Sequence, residues 1–405
     1  MTRKHLPVAS LCVAGALVLV SWSAYAVDRN FAGSAQLDYF FVPTSSGNIN
    51  KGNTGPAAGG ILSPGTAGEY GFDGLTLEAN AKVAVDVSDH LSANLKVCYG
   101  CHGFELDMAY ADYRVADELY VRAGRFSPAF GSFNLRHDVA NHKLSDKPLP
   151  YDMGRMLRMR QWNLGVVPSP FPDNGLEIGG THWFGDQTQV DYAAFAVQGF
   201  RSYDAHPTDL NFVLSRTPYY VDNNGVPTVG GRLSMTRKLG ELSDLSIGAS
   251  GMYGTYDTNN SLSYAIVGGD LSLRVVLTNV RFEYLVRRTE MDTTDPMLFA
   301  SPPTSSNAVY RHGAYVEIEQ PITSAFDLVA RLDGLLREGR VVANPVGDEQ
   351  LGTHSWILRY TLGATLAFER GFRLKLSTAL WQFSDGDDDG HKIALGMHGA
   401  FVAAF

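Results

Sequence analysis

The chain has 405 residues, with 33 basic and 42 acidic side chains, a formal net charge of −9 and a mean hydropathy of −0.09. Its acidic balance argues against nucleic-acid binding, which needs a basic surface. Beyond residue 26 no apolar run in the sequence approaches the length of a membrane-spanning helix. Glycine (42 residues), tyrosine (19) and phenylalanine (21) are abundant.

Residues 1–26 are predicted to be a secretory signal peptide. Arg3 and Lys4 precede an apolar run, 6–20, and the small residues Ala24 and Ala26 supply a cleavage site. Without this segment the chain carries 31 basic and 42 acidic side chains, a net charge of −11. An exported membrane protein that has no spanning helix can cross a bilayer only as a closed sheet. The rest of the chain, 27–405, is therefore predicted to be one barrel domain.

Apolar and polar residues alternate along the mature chain with the two-residue period of a β-strand. In one run Trp356, Leu358 and Tyr360 alternate with Arg359 and Thr361. Within the clearest runs charges never fall on the apolar set, so one face suits lipid and the other suits water. The sequence thus predicts an all-β fold, a transmembrane antiparallel up-and-down β-barrel.

Sixteen strands are predicted, although fourteen or eighteen are also compatible with the pattern. They cover 31–42, 72–88, 92–99, 102–116, 119–131, 175–184, 188–200, 228–239, 242–257, 263–277, 279–291, 309–322, 325–341, 355–369, 372–383 and 391–405. Tight turns, among them 117–118 and 278–279, alternate with longer loops. Outer-membrane barrels place such turns in the periplasm and the loops outside. A barrel of this size encloses an aqueous channel.

The mature chain has two cysteines, in the stretch Cys98-Tyr-Gly-Cys101-His102. C-x-x-C-H is the attachment motif of c-type haem, with thioethers at both cysteines and the histidine as proximal iron ligand. The alternative is a β-hairpin with Tyr99 and Gly100 as its turn. The two cysteines would then face each other at disulfide distance. Both interpretations, haem c and a Cys98–Cys101 disulfide without a cofactor, stay open here.

The loop after the fifth strand, predicted at about 133–174, is the most basic part of the chain. Between Phe133 and Arg160 its cations outnumber its three aspartates, and Arg122 and Arg125 lie just upstream. The loop cations are Arg136, Lys143, Lys147, Arg155, Arg158 and Arg160. The stretch Tyr120-Val-Arg-Ala-Gly-Arg-Phe-Ser-Pro-Ala-Phe-Gly131 resembles the phosphate-selective porin family. The resemblance implies a loop that folds inward and constricts a pore.

The C-terminal stretch places Ile393, Leu395, Met397, Phe401 and Phe405 on one face of a strand. Small or polar residues occupy the other face, and the sequence stops on an aromatic residue. This pattern resembles the final strand of bacterial outer-membrane β-barrels, where a terminal phenylalanine is the usual assembly signal.

Together these features predict a porin of a Gram-negative outer membrane, surrounded by lipid, homotrimeric, and open to passive diffusion of small hydrophilic solutes. A mild anion preference is expected because guanidinium groups suit phosphate and carboxylate. The alternative is a haem-bearing barrel that transfers electrons to partner cytochromes. An enzyme is not expected, because the sequence has no Ser-His-Asp or paired-carboxylate pattern that stands out from the inward-facing charges.

Overall fold

The computed structural model describes residues 28–46, 71–100, 103–152, 165–202, 222–292, 307–339, 354–369, 371–384 and 392–405. Sixteen strands lie in these ranges. They are β1 Arg29–Ser46, β2 Gly71–Asp86, β3 Leu91–Gly100, β4 Gly103–Ala116, β5 Leu119–Phe126, β6 Asp173–Phe184, β7 Thr188–Val197, β8 Thr228–Gly240, β9 Ser243–Thr255, β10 Ser263–Val275, β11 Thr278–Glu290, β12 Ala308–Pro321, β13 Phe326–Glu338, β14 His354–Glu369, β15 Phe372–Ser384 and β16 Lys392–Ala404.

The strands form one closed barrel in which each pairs with its sequence neighbours. All pairings are antiparallel, and β1 closes the barrel on β16, with Leu37 opposite Phe401. The predicted fold class and the count of sixteen are confirmed. No helix in the described ranges is long and apolar enough to cross a membrane.

Inside and outside of the barrel differ sharply. On the outer face Leu233 is 58 % exposed and Leu362 is 64 % exposed, whereas the inward-facing Arg359 and Asp333 are 0 % and 1 % exposed. Directly opposite residues on paired strands share a face, so the predicted alternation produces an apolar exterior and a charged lumen. An apolar exterior of this extent suits lipid rather than water.

Both ends of the barrel chain lie at the same end of the barrel, because β1 begins where Phe405 ends, bonded to Gly33. The short turns that join β2 to β3 and β4 to β5 lie there too, so we call this the turn end. The strand ends that the longer connections join lie at the opposite end, which we call the loop end. This alternation of short and long connections agrees with the prediction.

Most strand boundaries differ from the predicted ones by one to five residues, and two of the differences have a local reason. β5 ends at Phe126 instead of residue 131, because Pro128 has no N–H to continue a ladder. The turn after β10 lies at Val276 and Leu277, not at 278–279. Asn279 resembles a turn residue, but it is an inward-facing strand residue opposite Arg274.

The connection between β5 and β6 is described at 127–152 and 165–172, and both of these parts lie in the lumen; we call them the inner loop. It begins six residues earlier and ends two residues earlier than predicted. It contains short 3₁₀ turns at Asn134–Arg136 and Leu149–Tyr151. Its apolar side chains form a core with inward-facing residues of the strands, including Phe130, Phe133, Tyr151, Val166, Phe171, Phe195, Met252, Tyr264, Leu285, Tyr315 and Trp381.

Several predicted features lie outside the described residues. These are the signal peptide 1–26, the motif residues Cys101 and His102, and the loop arginines Arg155, Arg158 and Arg160.

Candidate functional site

The inner loop is fixed to the barrel by ion pairs on β13 and β14. Asp146 of the loop contacts Arg331 (Nη2–Oδ1 2.9 Å) and also Arg359. Both arginines contact Asp333, and Arg359 Nη2 donates to the carbonyl of Lys147 at 2.6 Å. Burial alone would raise the pKa of Asp146, but Arg331 and Arg359 outweigh it and hold this pKa at about 2. Asp146 therefore stays ionised and can pair with both arginines. We call the ion pairs among Asp146, Arg331, Asp333 and Arg359 the latch.

A second anchor is Glu283, an inward-facing and buried residue of β11. Its carboxylate accepts hydrogen bonds from the backbone N–H of Ser132 (2.7 Å) and Phe133 (3.2 Å). It also accepts from the hydroxyls of Tyr151 (2.5 Å) and Tyr315 (3.0 Å). Three of these four donors belong to the inner loop, so Glu283 fixes both the start of the loop and its second 3₁₀ turn.

The segment between these anchors is held through its own carbonyl groups. Lys375 Nζ donates to the carbonyls of Val139 (2.6 Å) and Leu144 (3.2 Å), and Thr365 Oγ1 donates to that of Lys143 (2.7 Å). Buried carbonyl groups need such partners. Because Thr365 lies near the turn end of β14, the loop follows this wall along most of the barrel.

One strut connects the inner loop to the opposite side of the lumen. Lys96 of β3 contacts Asp107 (3.0 Å) and the loop residue Asp138, and its Nζ lies 3.3 Å from His137 Nε2. His137 Nδ1 lies 2.6 Å from the carbonyl of Asn134. Nδ1 is therefore protonated and Nε2 accepts from Lys96. Burial, and then Lys96, lower the pKa of His137, so the ring is neutral.

Away from this strut, the wall formed by β2 to β5 is more open. Inward-facing Glu78, Asn80, Lys82 and Asn94 are half-buried, whereas Thr365 on the opposite wall is 1 % exposed. We call the inward-facing side chains of β2–β5 the open wall and those of β11–β16 the covered wall. The difference leaves space for water on one side of the lumen.

A cavity of about 320 Å³ continues the open wall at the turn end. Its inward-facing lining consists of Asp86, Ser92, Asp112, Arg114, Tyr120, Arg122 and Thr181. Arg122 forms a two-bond ion pair with Asp112 (2.7 and 3.1 Å) and contacts Glu177 at 3.2 Å. The guanidinium also lies over the Tyr110 ring, 4.6 Å from its centre.

The structure does not assemble the predicted cations into one positive site. Arg136 contacts Glu317 at 3.7 Å, Lys143 contacts Asp327 at 2.6 Å, and Arg122 is paired as described. The remaining two described candidates bond to backbone carbonyls: Arg125 to Leu106 (3.1 Å) and Lys147 to Ser169 (2.5 Å). These five cations neutralise carboxylates or support loops.

The alternation of apolar and polar residues predicted that Arg359 faces the lumen, but it assigned no role to Arg359 or to the other charged residues of the anchors, Arg331, Asp333 and Glu283. Their partner Asp146 lies in the loop and was counted only as an acidic residue. The latch could have been predicted from one sequence pattern. This pattern is an aspartate in a loop predicted to fold inward, together with arginines on the inward faces of two adjacent strands.

The hairpin that carries Cys98 differs from the predicted one. Tyr99 lies opposite Phe104 and Gly100 opposite Gly103, so both are strand residues and not the turn that the disulfide alternative required. Cys98 lies opposite Glu105, and not opposite Cys101 as the disulfide alternative required. A bulge between Lys96 and Val97 shifts the register of this pair by one residue.

The described surroundings of Cys98 are charged and not apolar. Cys98 interacts electrostatically with Asp107 and Lys96. In the described ranges no group of three or more His, Cys, Asp or Glu side chains is arranged to hold a metal ion. Cys101 and His102 lie outside the described residues, so haem attachment stays a prediction.

No protein-family model matches the chain, and no curated protein sequence matches it. Several solved structures are similar. The outer-membrane channel DcaP of Acinetobacter baumannii has a TM-score of 0.57 at 10 % identity, covering 95 % of this chain and 99 % of its own. An anion-selective porin from Comamonas acidovorans has 0.53 at 12 % identity, covering 94 % and 100 %.

The trimer form of OmpT, an outer-membrane protein of Vibrio cholerae, has a TM-score of 0.50 at 10 % identity, covering 94 % of this chain and all of its own. At these identities the likeness shows the fold alone. With its sixteen strands, its apolar exterior and its charged lumen, the chain has the fold of bacterial outer-membrane porins, and its location is the outer membrane.

Proposed function

We propose that the protein is a porin through which small hydrophilic solutes diffuse passively across the outer membrane. The observation that carries the proposal is the position of the inner loop. Ion pairs and carbonyl contacts fix it to the covered wall, while side chains of the open wall stay half-buried beside a cavity. A loop held in this way narrows a wide barrel and leaves a path on one side.

In this proposal the turn end faces the periplasm and the loop end faces the exterior, as in other outer-membrane barrels. Solutes enter from the loop end, pass between the inner loop and the open wall, and leave through the cavity at the turn end. The sixteen-stranded barrel supplies the aqueous cross-section, and the loop sets the size limit.

The ion preference is a separate question. The Comamonas acidovorans structure is that of an anion-selective porin, and the sequence of the inner loop led to the same expectation here. Five of the eight predicted cations already have partners, which weakens the contribution of the loop. Reversal potentials in a salt gradient measure the preference, and cation selectivity would remove the anion hypothesis.

The proposal is tested by reconstituting the purified protein in planar lipid bilayers. We expect stepwise conductance that rises in proportion to salt concentration, as in a water-filled pore. Liposomes containing the protein should swell in small sugars and more slowly in larger ones. Absence of both conductance and swelling from protein that is folded as a heat-modifiable barrel would contradict the proposal.

Assembly as a homotrimer is part of the proposal and has its own test. Chemical cross-linking in native membranes should yield dimer and trimer bands and no larger ladder. A protein that migrates as a monomer before and after cross-linking would remove this element and leave the channel proposal intact.

Haem attachment at Cys98, Cys101 and His102 stays a prediction, and so does electron transfer to partner cytochromes. The test is a visible spectrum and an intact mass of protein from cells competent in cytochrome c maturation. A Soret band that disappears in Cys98→Ala/Cys101→Ala would establish haem. A colourless protein without added mass would leave the channel function alone.

A further inference from the structure

We infer that Lys82 lines the solute path and biases it toward small anions. The inference rests on the proposed porin function and names a residue that contributes to its charge preference. It assigns this role to a single lysine of the open wall, because the loop cations among the described residues, Arg136, Lys143 and Lys147, already have partners.

The register places Lys82 in the lumen. Lys82 of β2 lies directly opposite Ala32 of β1 and Lys96 of β3. Directly opposite residues project from the same face of a sheet. Since Lys96 reaches the inner loop inside the barrel, Lys82 projects inward as well. The neighbouring Ala81 and Val83 belong to the outer face.

The two lysines have opposite surroundings. Lys96 is 3 % exposed and contacts two carboxylates, Asp107 and Asp138, so its charge is neutralised. Lys82 is half-buried and has no hydrogen bond or ion pair to its side chain among the described residues. Its nearest inward-facing neighbours along β2 are Asn80 and Ala84, which carry no charge. The Lys82 ammonium group is therefore available to ions in the path.

The position of Lys82 gives this charge an effect. It lies at the level of the Lys96 strut, where the inner loop comes across the lumen and contacts β3. Ions that pass the loop on the open side come close to this level of the wall. An unpaired charge at a constriction biases selectivity more than one in a wide vestibule, where water screens it.

Acidic residues at the turn end act against this bias. Asp86, Asp89 and Asp117 are exposed around the cavity, which also contains the exposed Arg114. They lie in the wide exit, so their effect on permeant ions is screened more strongly. The inference therefore concerns the change in selectivity when Lys82 is altered, whatever the sign of the intact channel.

The test compares reversal potentials of Lys82→Gln and the intact protein in a potassium chloride gradient. The ratio of chloride to potassium permeability should fall about twofold or more, because a unit charge about 7 Å from an ion in water contributes an energy close to RT. Lys82→Arg should keep the intact ratio. A matched control is Arg237→Gln, since Arg237 is exposed on the outer face with Met235 and should leave the ratio unchanged.

An unchanged ratio in Lys82→Gln, or a shift toward chloride, would overturn the inference. If this variant fails to fold, Lys82→Asn provides the same charge change with the side chain already present at inward-facing Asn80 and Asn94. A folded intact protein without conductance would instead contradict the proposed function. The two failures are therefore distinct.

Discussion

The covered wall and the open wall are built from the same kinds of residues and are used differently. On the covered wall Arg359, Asp333 and Glu283 are nearly or fully buried because the inner loop supplies their partners. On the open wall Lys82 and Asn94 stay half-buried. Inward-facing charged side chains in this barrel therefore have two roles. Those that contact the inner loop hold it in place, and those without such a contact face water.

The same contrast applies within a pair of neighbours. Lys96 and Lys82 are both inward-facing lysines and lie directly opposite each other. Lys96 contacts the loop through Asp138, whereas Lys82 contacts no carboxylate among the described residues. Removing one partner of a buried ion pair is costly, because it leaves the other charge buried without a partner. Variants of the residues that pair with the inner loop should therefore have much larger effects than variants of residues that face water.

The largest effect is expected from Arg359→Ala. This removes a fully buried cation that contacts Asp146, Asp333 and the carbonyl of Lys147. Leaving buried carboxylates without their partner costs about 3–5 kcal/mol. The loop should leave the wall, giving larger and noisier conductance steps and protease cleavage within 127–152. Arg237→Ala on the outer face is the control. If Arg359→Ala has unchanged conductance and its loop stays protected from protease, Arg359 does not hold the inner loop on the covered wall.

A smaller effect is expected from Glu283→Gln. The glutamine keeps the size of the side chain but loses one acceptor oxygen, while four donors still point at it. Loss of a charged acceptor for such donors costs about 1–3 kcal/mol. Single-channel recordings should show brief additional open levels, which Glu118→Gln at the exposed turn should not produce. Identical recordings for both variants would show that Glu283 does not anchor the loop.

A pH effect of intermediate to small size is expected from His142. Its Nδ1 bonds the carbonyl of Leu144 at 2.7 Å. Burial first, and then the nearby cations Lys375, Arg136 and Lys147, hold the pKa of His142 well below its usual value. The docked loop is therefore favoured above about pH 6.5, the ordinary histidine value, and is weakened as pH falls from there toward the lowered pKa.

Asp146 does not contribute in that range, because its pKa is about 2 and it stays ionised. Conductance noise should therefore increase on acidification from about pH 7 to about pH 5. His142→Asn, which keeps a hydrogen-bond donor but does not titrate, should flatten the response. A response of equal size in that variant would exclude His142 as its source.

The smallest effect is expected from Lys143→Gln. Lys143 pairs with Asp327 at 2.6 Å, but its side chain is 30 % exposed. Ion pairs in contact with water contribute about 0–1 kcal/mol. Conductance and thermal stability should stay close to those of the intact protein. If Lys143→Gln lost as much thermal stability as Arg359→Ala, the exposure of an ion pair would not predict how much that pair contributes.

Most of the barrel could be predicted from the sequence. Alternation of the kind found between Trp356 and Thr361 identifies a strand and its two faces, and sixteen such runs close into one sheet. The two-residue period is a local property of a strand, so it can be recognised without knowing which strands pair with each other. The predicted end of β5 at residue 131 was wrong, because Pro128 has no N–H to continue the ladder.

The site was less predictable, because its contacts join distant parts of the chain. Asp146 meets Arg359 across 213 residues, and Ser132 meets Glu283 across 151. Local patterns identified the loop as basic, but they could not reveal that Arg136 and Lys143 would have acidic partners. They also gave no reason to separate Lys82 from Lys96, since only the position of the loop distinguishes the two.

The most direct test of the two-wall account is the accessibility of a single cysteine placed on each wall. Asn94→Cys and Thr365→Cys would be made with Cys98 and Cys101 replaced by serine, and a charged, water-soluble thiol reagent would be added during conductance recording. The account predicts rapid loss of conductance for Asn94→Cys and none for Thr365→Cys, because the loop covers Thr365. Equal reaction at both positions, or reaction at Thr365→Cys alone, would contradict it.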